Sequence, residues 1–76
     1  MEVTVKEIRE VIENAETMAE IDTLKNDIPL TDQEVDSLDM ANILLLIEEK
    51  YEVKIPDTDT KYLQTVDGIV AYLSKK

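Results

Sequence analysis

Apolar residues recur at the spacing of an α-helix along the first segment of this chain, residues 3–19. Most of them fall three or four residues apart, and two more widen the stripe: Val5, Ile8, Ile12 and Ala15, then Val11 and Met18. Charged residues such as Arg9 occupy the intervening positions. Because this period places apolar side chains on one face, the pattern predicts an amphipathic helix over residues 3–19.

A second helix is predicted over residues 37–51, which contain neither Gly nor Pro and are rich in Leu. We expect it to begin at or just before Ser37, because Ser and Asp oxygens accept hydrogen bonds from the free N–H groups of a first helical turn. Its expected core face consists of Met40, Ile43, Leu44, Leu46 and Ile47.

The segment between these two helices, residues 20–35, has no regular period and contains Pro29. These features predict a long loop. Loops of this length in small domains tend to be functional or to pack on themselves. Its apolar anchors are expected to be Ile21, Leu24, Ile28, Leu30 and Val35.

The last third of the chain predicts two more helices. A short one is expected after Pro56, and Thr65 is suited to cap a final helix over residues 66–74. Gly68 lies inside that final helix, where glycine costs about 1 kcal/mol relative to alanine, so we expect the element to be weakened. The predicted fold is all-α: a four-helix bundle of three longer helices and one short helix, with a long loop between helices 1 and 2.

Composition limits what the chain can do. Its 76 residues predict a single domain over residues 1–76, and the absence of Cys and His removes disulfides, thiolates and imidazole chemistry. The N-terminus lacks the apolar core of a signal peptide, and no run approaches the ~18 apolar residues of a membrane span, so a cytoplasmic protein is expected. A net charge of −10 disfavours nucleic acid and anionic membranes and favours basic protein surfaces.

No catalytic or metal site is predicted. Asp57 and Asp59 could open a calcium loop, but Lys61, Tyr62 and Gly68 stand where that loop needs an oxygen ligand, a glycine and a glutamate. There is no glycine-rich loop to bind a nucleotide phosphate. We therefore expect no metal and no enzymatic activity of the chain alone.

Residues 36–39, with the sequence Asp-Ser-Leu-Asp at the predicted start of the second helix, resemble the 4'-phosphopantetheine attachment site of acyl carrier proteins. Three further segments stand in register with that family. Residues 46–51 are similar to the end of its second helix, residues 55–57 to its Ile-Pro-Asp connector, and residues 65–73 to its last helix. The resemblance extends over nearly the whole length of the chain.

The resemblance implies that Ser37 is esterified by 4'-phosphopantetheine from coenzyme A, in a reaction catalysed by a separate phosphopantetheinyl transferase. The terminal thiol of that arm would carry acyl groups as thioesters, most directly in fatty acid biosynthesis. Asp36 and Asp39 would flank the attachment point and contact the basic transferase or its bound metal. The implied protein is a carrier that serves other enzymes.

The same resemblance implies a partner surface on the second helix. Leu38, Ala41 and Leu45 would form an exposed apolar strip, although core packing is an alternative for each of them. Glu48 and Glu49 would continue an acidic surface toward acyl-loading and acyl-processing enzymes with basic surfaces. The protein is expected to be monomeric.

An acyl chain would be sheltered between the helices. Five apolar residues are candidates to line that cleft, and each is equally a candidate for ordinary core packing: Ile43, Leu46, Ile55, Leu63 and Ile69.

Two positions depart from the family pattern. Glu34 stands where most members have glycine, which leaves the path of the loop into Ser37 open, and Asn42 stands where many carry an acid. A specialised carrier for polyketide, aminoacyl or other dedicated cargo is therefore an alternative. A third reading, from another class, is an unmodified acidic interaction module in which Ser37 is only a helix cap.

Overall fold

The computed structural model describes residues 2–17 and 20–75, and within these ranges the chain forms helices and no β-strand. The three α-helices are α1 (Val5–Asn14), α2 (Ser37–Tyr51) and α3 (Val66–Ser74). Two short 3-10 helices, Leu30–Asp32 and Asp57–Tyr62, lie in the segments between them. The predicted all-α bundle with a long loop between its first two helices is confirmed, as are the bounds of α2 and α3.

The first helix is shorter than predicted. Thr4 caps its start by accepting a hydrogen bond from the Glu7 amide at 3.2 Å. The helix ends at Asn14, and two residues later Glu16 has a φ of 55°. The prediction of a helix as far as residue 19 was wrong, since a residue in the left-handed region cannot continue a right-handed helix. Met18 lies outside the described residues.

The last helix starts as predicted, and its Gly68 lies where the backbone packs closely. The Thr65 hydroxyl accepts a hydrogen bond from the Gly68 amide at 2.8 Å. A Cβ added to Gly68 would lie 2.6 Å from the Tyr62 carbonyl oxygen and 3.0 Å from Thr65 Oγ1. Gly68 is therefore required for close approach of the backbone, which the sequence did not predict, and its propensity cost to α3 stays a prediction.

One hydrophobic core unites all three α-helices. It is formed by side chains from every helix and from the connecting segments, of which the largest fully buried ones are Ile8, Ile12, Leu30, Val35, Ile43, Ile47, Leu63, Val66, Ile69 and Leu73. On the predicted core face of α2, Met40, Ile43 and Ile47 are buried, whereas Leu44 and Leu46 are half-buried. No helix within the described ranges has the length and apolarity to cross a membrane.

Polar contacts from Arg9 attach the long loop to α1. Its guanidinium donates to the Leu24 carbonyl and to Asn26 Oδ1, each at 2.8 Å, and also to the Ile21 carbonyl. The Asn26 carbonyl in turn accepts from the Asp67 amide at 3.0 Å. Arg9, placed by its spacing on the polar face of the first helix, is thus half-buried and links α1 through the loop to α3.

The apolar anchors of the loop are fewer than predicted. Leu24, Leu30 and Val35 are buried, and Ile21 is half-buried. Ile28 is 36% exposed, so its prediction as an anchor was wrong. It precedes Pro29 at a bend of the chain, and the adjoining backbone is held by hydrogen bonds instead of by this side chain.

Candidate functional site

The start of α2 is capped by Asp36 and not by Ser37. Asp36 Oδ1 accepts a hydrogen bond from the Asp39 amide at 2.8 Å, and the Asp36 carbonyl accepts from the Met40 amide at 2.9 Å. Ser37 is the first residue of the helix and is exposed. Across the described residues its hydroxyl makes no hydrogen bond. The capping role that a serine could have had here is therefore already filled.

An attached phosphodiester is compatible with this position. An exposed hydroxyl without a hydrogen bond can be esterified without breaking an internal contact, and the first N–H groups of a helix favour an anion. Asp36 and Asp39 oppose this effect with two carboxylates beside Ser37. Their negative charges would disfavour an attached anion unless a basic group lay close to it.

The strip of apolar residues on α2 lies at the surface. Leu38 is 72% exposed and Leu45 is 52% exposed, and Ala41 between them is also exposed. Two leucines this exposed on one helix, seven residues apart, present a surface that water solvates poorly. Contact of this strip with partner proteins stays a prediction.

The two predicted acidic residues on α2 differ in their surroundings. Glu49 is exposed, whereas Glu48 is half-buried and its Oε2 accepts a hydrogen bond from the Ile55 amide at 2.8 Å. Glu48 thus holds the connector that follows α2 as well as contributing charge. The sequence offered no signal for this bond, because it joins residues on either side of a turn.

The five cleft candidates all belong to the hydrophobic core or pack against it. Ile43, Leu63 and Ile69 are fully buried in the core, and the half-buried Leu46 and Ile55 pack against it. With three of its five members completely enclosed, this cluster is closed in the present conformation. A chain could enter only if the side chains moved apart, so a lining role stays a prediction.

The far end of α2 is joined to α1 by Tyr51, which the sequence did not single out. Its hydroxyl donates to Glu7 Oε2 at 2.8 Å. Burial of the ring raises the Tyr51 pKa to about 12, and the hydrogen bond from the hydroxyl and the negative charges of Glu7 and Glu10 add to that rise. The neutral tyrosine therefore links the C-terminal end of α2 to the first turn of α1.

The loop into Ser37 passes through Glu34 in an unusual conformation. Glu34 has a φ of 67°, in the left-handed region that glycine adopts at least cost. The residue that stands in place of a glycine thus keeps a glycine-like backbone.

Among the described residues, no group of three or more acidic side chains is arranged to hold a metal ion.

Comparison with known proteins agrees with this geometry. Residues 6–73 match the family model described as phosphopantetheine attachment site. An acyl carrier protein of Kineococcus radiotolerans is 45% identical over 65 residues, which are 84% of this chain and 80% of that protein.

Two further relatives align over a shorter stretch. An acyl carrier protein of Rhodococcus erythropolis and a meromycolate extension acyl carrier protein of Mycolicibacterium smegmatis are each 50% identical over 44 residues, or 58% of this chain. The matched stretch is 48% of the Rhodococcus protein and 44% of the Mycolicibacterium protein. The chain therefore spans less than half the length of these two relatives.

Proposed function

Because the chain belongs to the acyl carrier protein family, whose members are carriers with a 4'-phosphopantetheine cofactor and not catalysts, we propose that Ser37 is its attachment residue. One observation carries the proposal: Asp36 caps α2, so the exposed Ser37 hydroxyl is left without an internal hydrogen bond. Ser74, the only other serine of the chain, ends α3 and is also exposed. It lies at a helix end and not at the start of α2, and therefore serves as a matched control.

The chemistry at Ser37 needs an external enzyme. The Ser37 oxygen attacks the phosphorus of coenzyme A that bears the pantetheine, a phosphodiester forms, and the phosphoanhydride bond breaks to release adenosine 3',5'-bisphosphate. A base of the transferase takes the hydroxyl proton. The attached arm supplies a terminal thiol that carries acyl groups as thioesters.

Partner enzymes are proposed to dock on the exposed side of α2. Leu38, Ala41 and Leu45 supply an apolar centre, and Asp36, Asp39, Glu48 and Glu49 supply charges that attract basic enzyme surfaces. Rim charges of this kind raise association rates more than affinity, which suits a carrier that must leave each enzyme in turn.

We further propose that the cargo is an acyl chain of fatty acid biosynthesis, handled in the cytoplasm by one domain over residues 1–76. The support is the family together with relatives named for acyl carriage and for meromycolate extension. A carrier for polyketide, aminoacyl or other dedicated cargo is the alternative. Loading assays with fatty-acyl, polyketide and aminoacyl loading enzymes on the same holo protein separate these cargo classes.

The attachment is tested by intact mass after incubation with coenzyme A, magnesium and a broad-specificity phosphopantetheinyl transferase. We expect the wild type and Ser74→Ala to gain one phosphopantetheine group, and Ser37→Ala to gain none. Circular dichroism establishes that each variant is folded. A folded wild type that gains no group with several transferases would favour the unmodified interaction module.

A further inference from the structure

Glu34 lies two residues before Asp36, the cap of α2, and adopts a backbone conformation that its side chain disfavours. Its φ of 67° lies in the left-handed region, where a Cβ is crowded by the neighbouring carbonyl. The surrounding structure has to hold a non-glycine residue in such a conformation.

The neighbours of Glu34 enforce the conformation. On one side, the Gln33 amide group donates to the carbonyls of Lys25 and Ile28, each at 2.9 Å, and Gln33 Oε1 accepts from the Lys25 amide at 2.6 Å. On the other side, Val35 is fully buried in the core. Glu34 is therefore held between two fixed residues, and its exposed side chain projects from a defined position.

Glu34 lines two open grooves, each with a volume of about 380 Å³. One groove is lined by Thr31, Glu34, Val35 and Asp36, so it reaches the residue next to Ser37. The other is lined by residues of the long loop: Glu20, Thr23, Leu24, Gln33 and Glu34. A protein that covers Ser37 from this side must meet the Glu34 side chain.

The Glu34 carboxylate is not held by contacts within the described part of the chain. Within the described part of the chain the Glu34 carboxylate forms no hydrogen bond, unlike that of Asp36 or Glu48. A glycine would adopt this backbone conformation at lower cost, so the conformation itself does not require a carboxylate. The carboxylate remains available for a group outside the chain.

We propose that Glu34 selects the enzymes that act at Ser37, by requiring a lysine or arginine of the partner in the groove beside Asp36. This inference rests on the proposed attachment at Ser37 and names a determinant of partner choice that lies before α2, outside the exposed strip. A partner without a basic group there has to desolvate the Glu34 carboxylate unpaired. Glu34 is a partner-selecting residue and takes no part in the phosphoryl transfer.

The test is steady-state kinetics of phosphopantetheine transfer with coenzyme A and magnesium, on the full chain. Glu34→Gln removes the charge and keeps the backbone strain, whereas Glu34→Gly removes both. Glu16→Gln and Glu16→Gly are matched controls, because Glu16 is an exposed glutamate with a φ of 55° at the end of α1. Circular dichroism establishes that all variants are folded before the kinetics are compared.

We expect both Glu34 variants to raise KM for the carrier about two- to fivefold at low salt, as the loss of an exposed ion pair does. kcat should stay unchanged, the difference should shrink as salt screens the charge, and the Glu16 variants should match the wild type.

If the wild type is modified by the transferase and Glu34→Gln and Glu16→Gln have the same KM as the wild type, the role of Glu34 is overturned while the attachment at Ser37 stands. An effect of Glu34→Gly that Glu34→Gln does not share would also overturn it, since strain and not charge would then be responsible. A folded wild type that is never modified would instead refute the attachment at Ser37, and this inference with it.

Discussion

Replacement of Gly68 by alanine should improve helix propensity but worsen packing, and we expect the packing cost to be the larger of the two. Propensity alone favours alanine inside α3 by about 1 kcal/mol. The new Cβ, however, would lie 2.6 Å from the Tyr62 carbonyl oxygen and 3.0 Å from Thr65 Oγ1, closer than the 3.4–4 Å of an ordinary contact. The first of these neighbours is backbone and cannot turn away.

The cost follows from what must move. Displacing the backbone at Tyr62 is an overpacking strain of about 1–3 kcal/mol. Shifting Thr65 also loosens the cap bond to the Gly68 amide, now 2.8 Å long, and losing such a cap costs about 1 kcal/mol. After subtraction of the propensity gain, Gly68→Ala should lower the free energy of unfolding by about 1–3 kcal/mol.

Urea unfolding followed by circular dichroism measures this difference, and thermal unfolding should show a midpoint lower by about 4–8 °C per kcal/mol. Ala71→Gly is the control, because Ala71 is exposed in the same helix and its replacement should cost only the propensity term of about 1 kcal/mol. A Gly68→Ala variant about 1 kcal/mol more stable than the wild type would refute the argument from close approach.

Three further predictions concern two contacts and one backbone conformation that the sequence did not reveal. Arg9→Ala should lower the free energy of unfolding by about 2–4 kcal/mol, because it leaves hydrogen-bond acceptors of the loop unpaired. Arg9→Lys should recover only part of that free energy, since an ammonium group lacks the planar set of donors of a guanidinium. Equal urea midpoints for Arg9→Ala and the wild type would contradict this. The pKa of Tyr51, raised from 10.0 to about 12 by burial and by Glu7, makes the neutral hydroxyl stabilising, so its contribution is complete below pH 10 and is lost as pH rises toward 12. The stability difference between wild type and Tyr51→Phe should shrink over that range, and parallel pH profiles would exclude the effect. Glu52→Gly should stabilise the protein by roughly 0.5–1 kcal/mol, because a left-handed residue at the end of α2 costs more than the chain entropy that glycine adds; an unchanged or lower midpoint would show that no strain is stored there.

Local signals were sufficient for most helix boundaries. The start of α2 and the Thr65 cap of α3 were predictable, since capping depends on residues within one turn of each other. The end of α1 was not predictable, because its apolar period continues past Asn14 while the backbone at Glu16 turns left-handed. A glutamate carries no sequence signal for that conformation.

The candidate site shows the same division. The sequence placed Ser37 at a helix start and Leu38 and Leu45 on a strip apart from the core face. It could not say which residue caps α2, because Asp36 and Ser37 are both good caps and only the folded geometry shows which oxygen meets the Asp39 amide. Nor could it show that the cleft candidates are enclosed, since enclosure depends on all the helices that pack around them.

By itself, then, the sequence determined the helical class, the starts of α2 and α3 and the acidic surface, because each depends on neighbouring residues or on composition. Tertiary structure alone decided the roles of Arg9, Tyr51 and Gly68. Arg9 reaches acceptors 12 to 17 residues away, and Tyr51 meets Glu7 across 44 residues. Gly68 is required because the packing of α3 brings the Tyr62 carbonyl against it. Such contacts follow from how the elements pack, and no pattern within one element reports them.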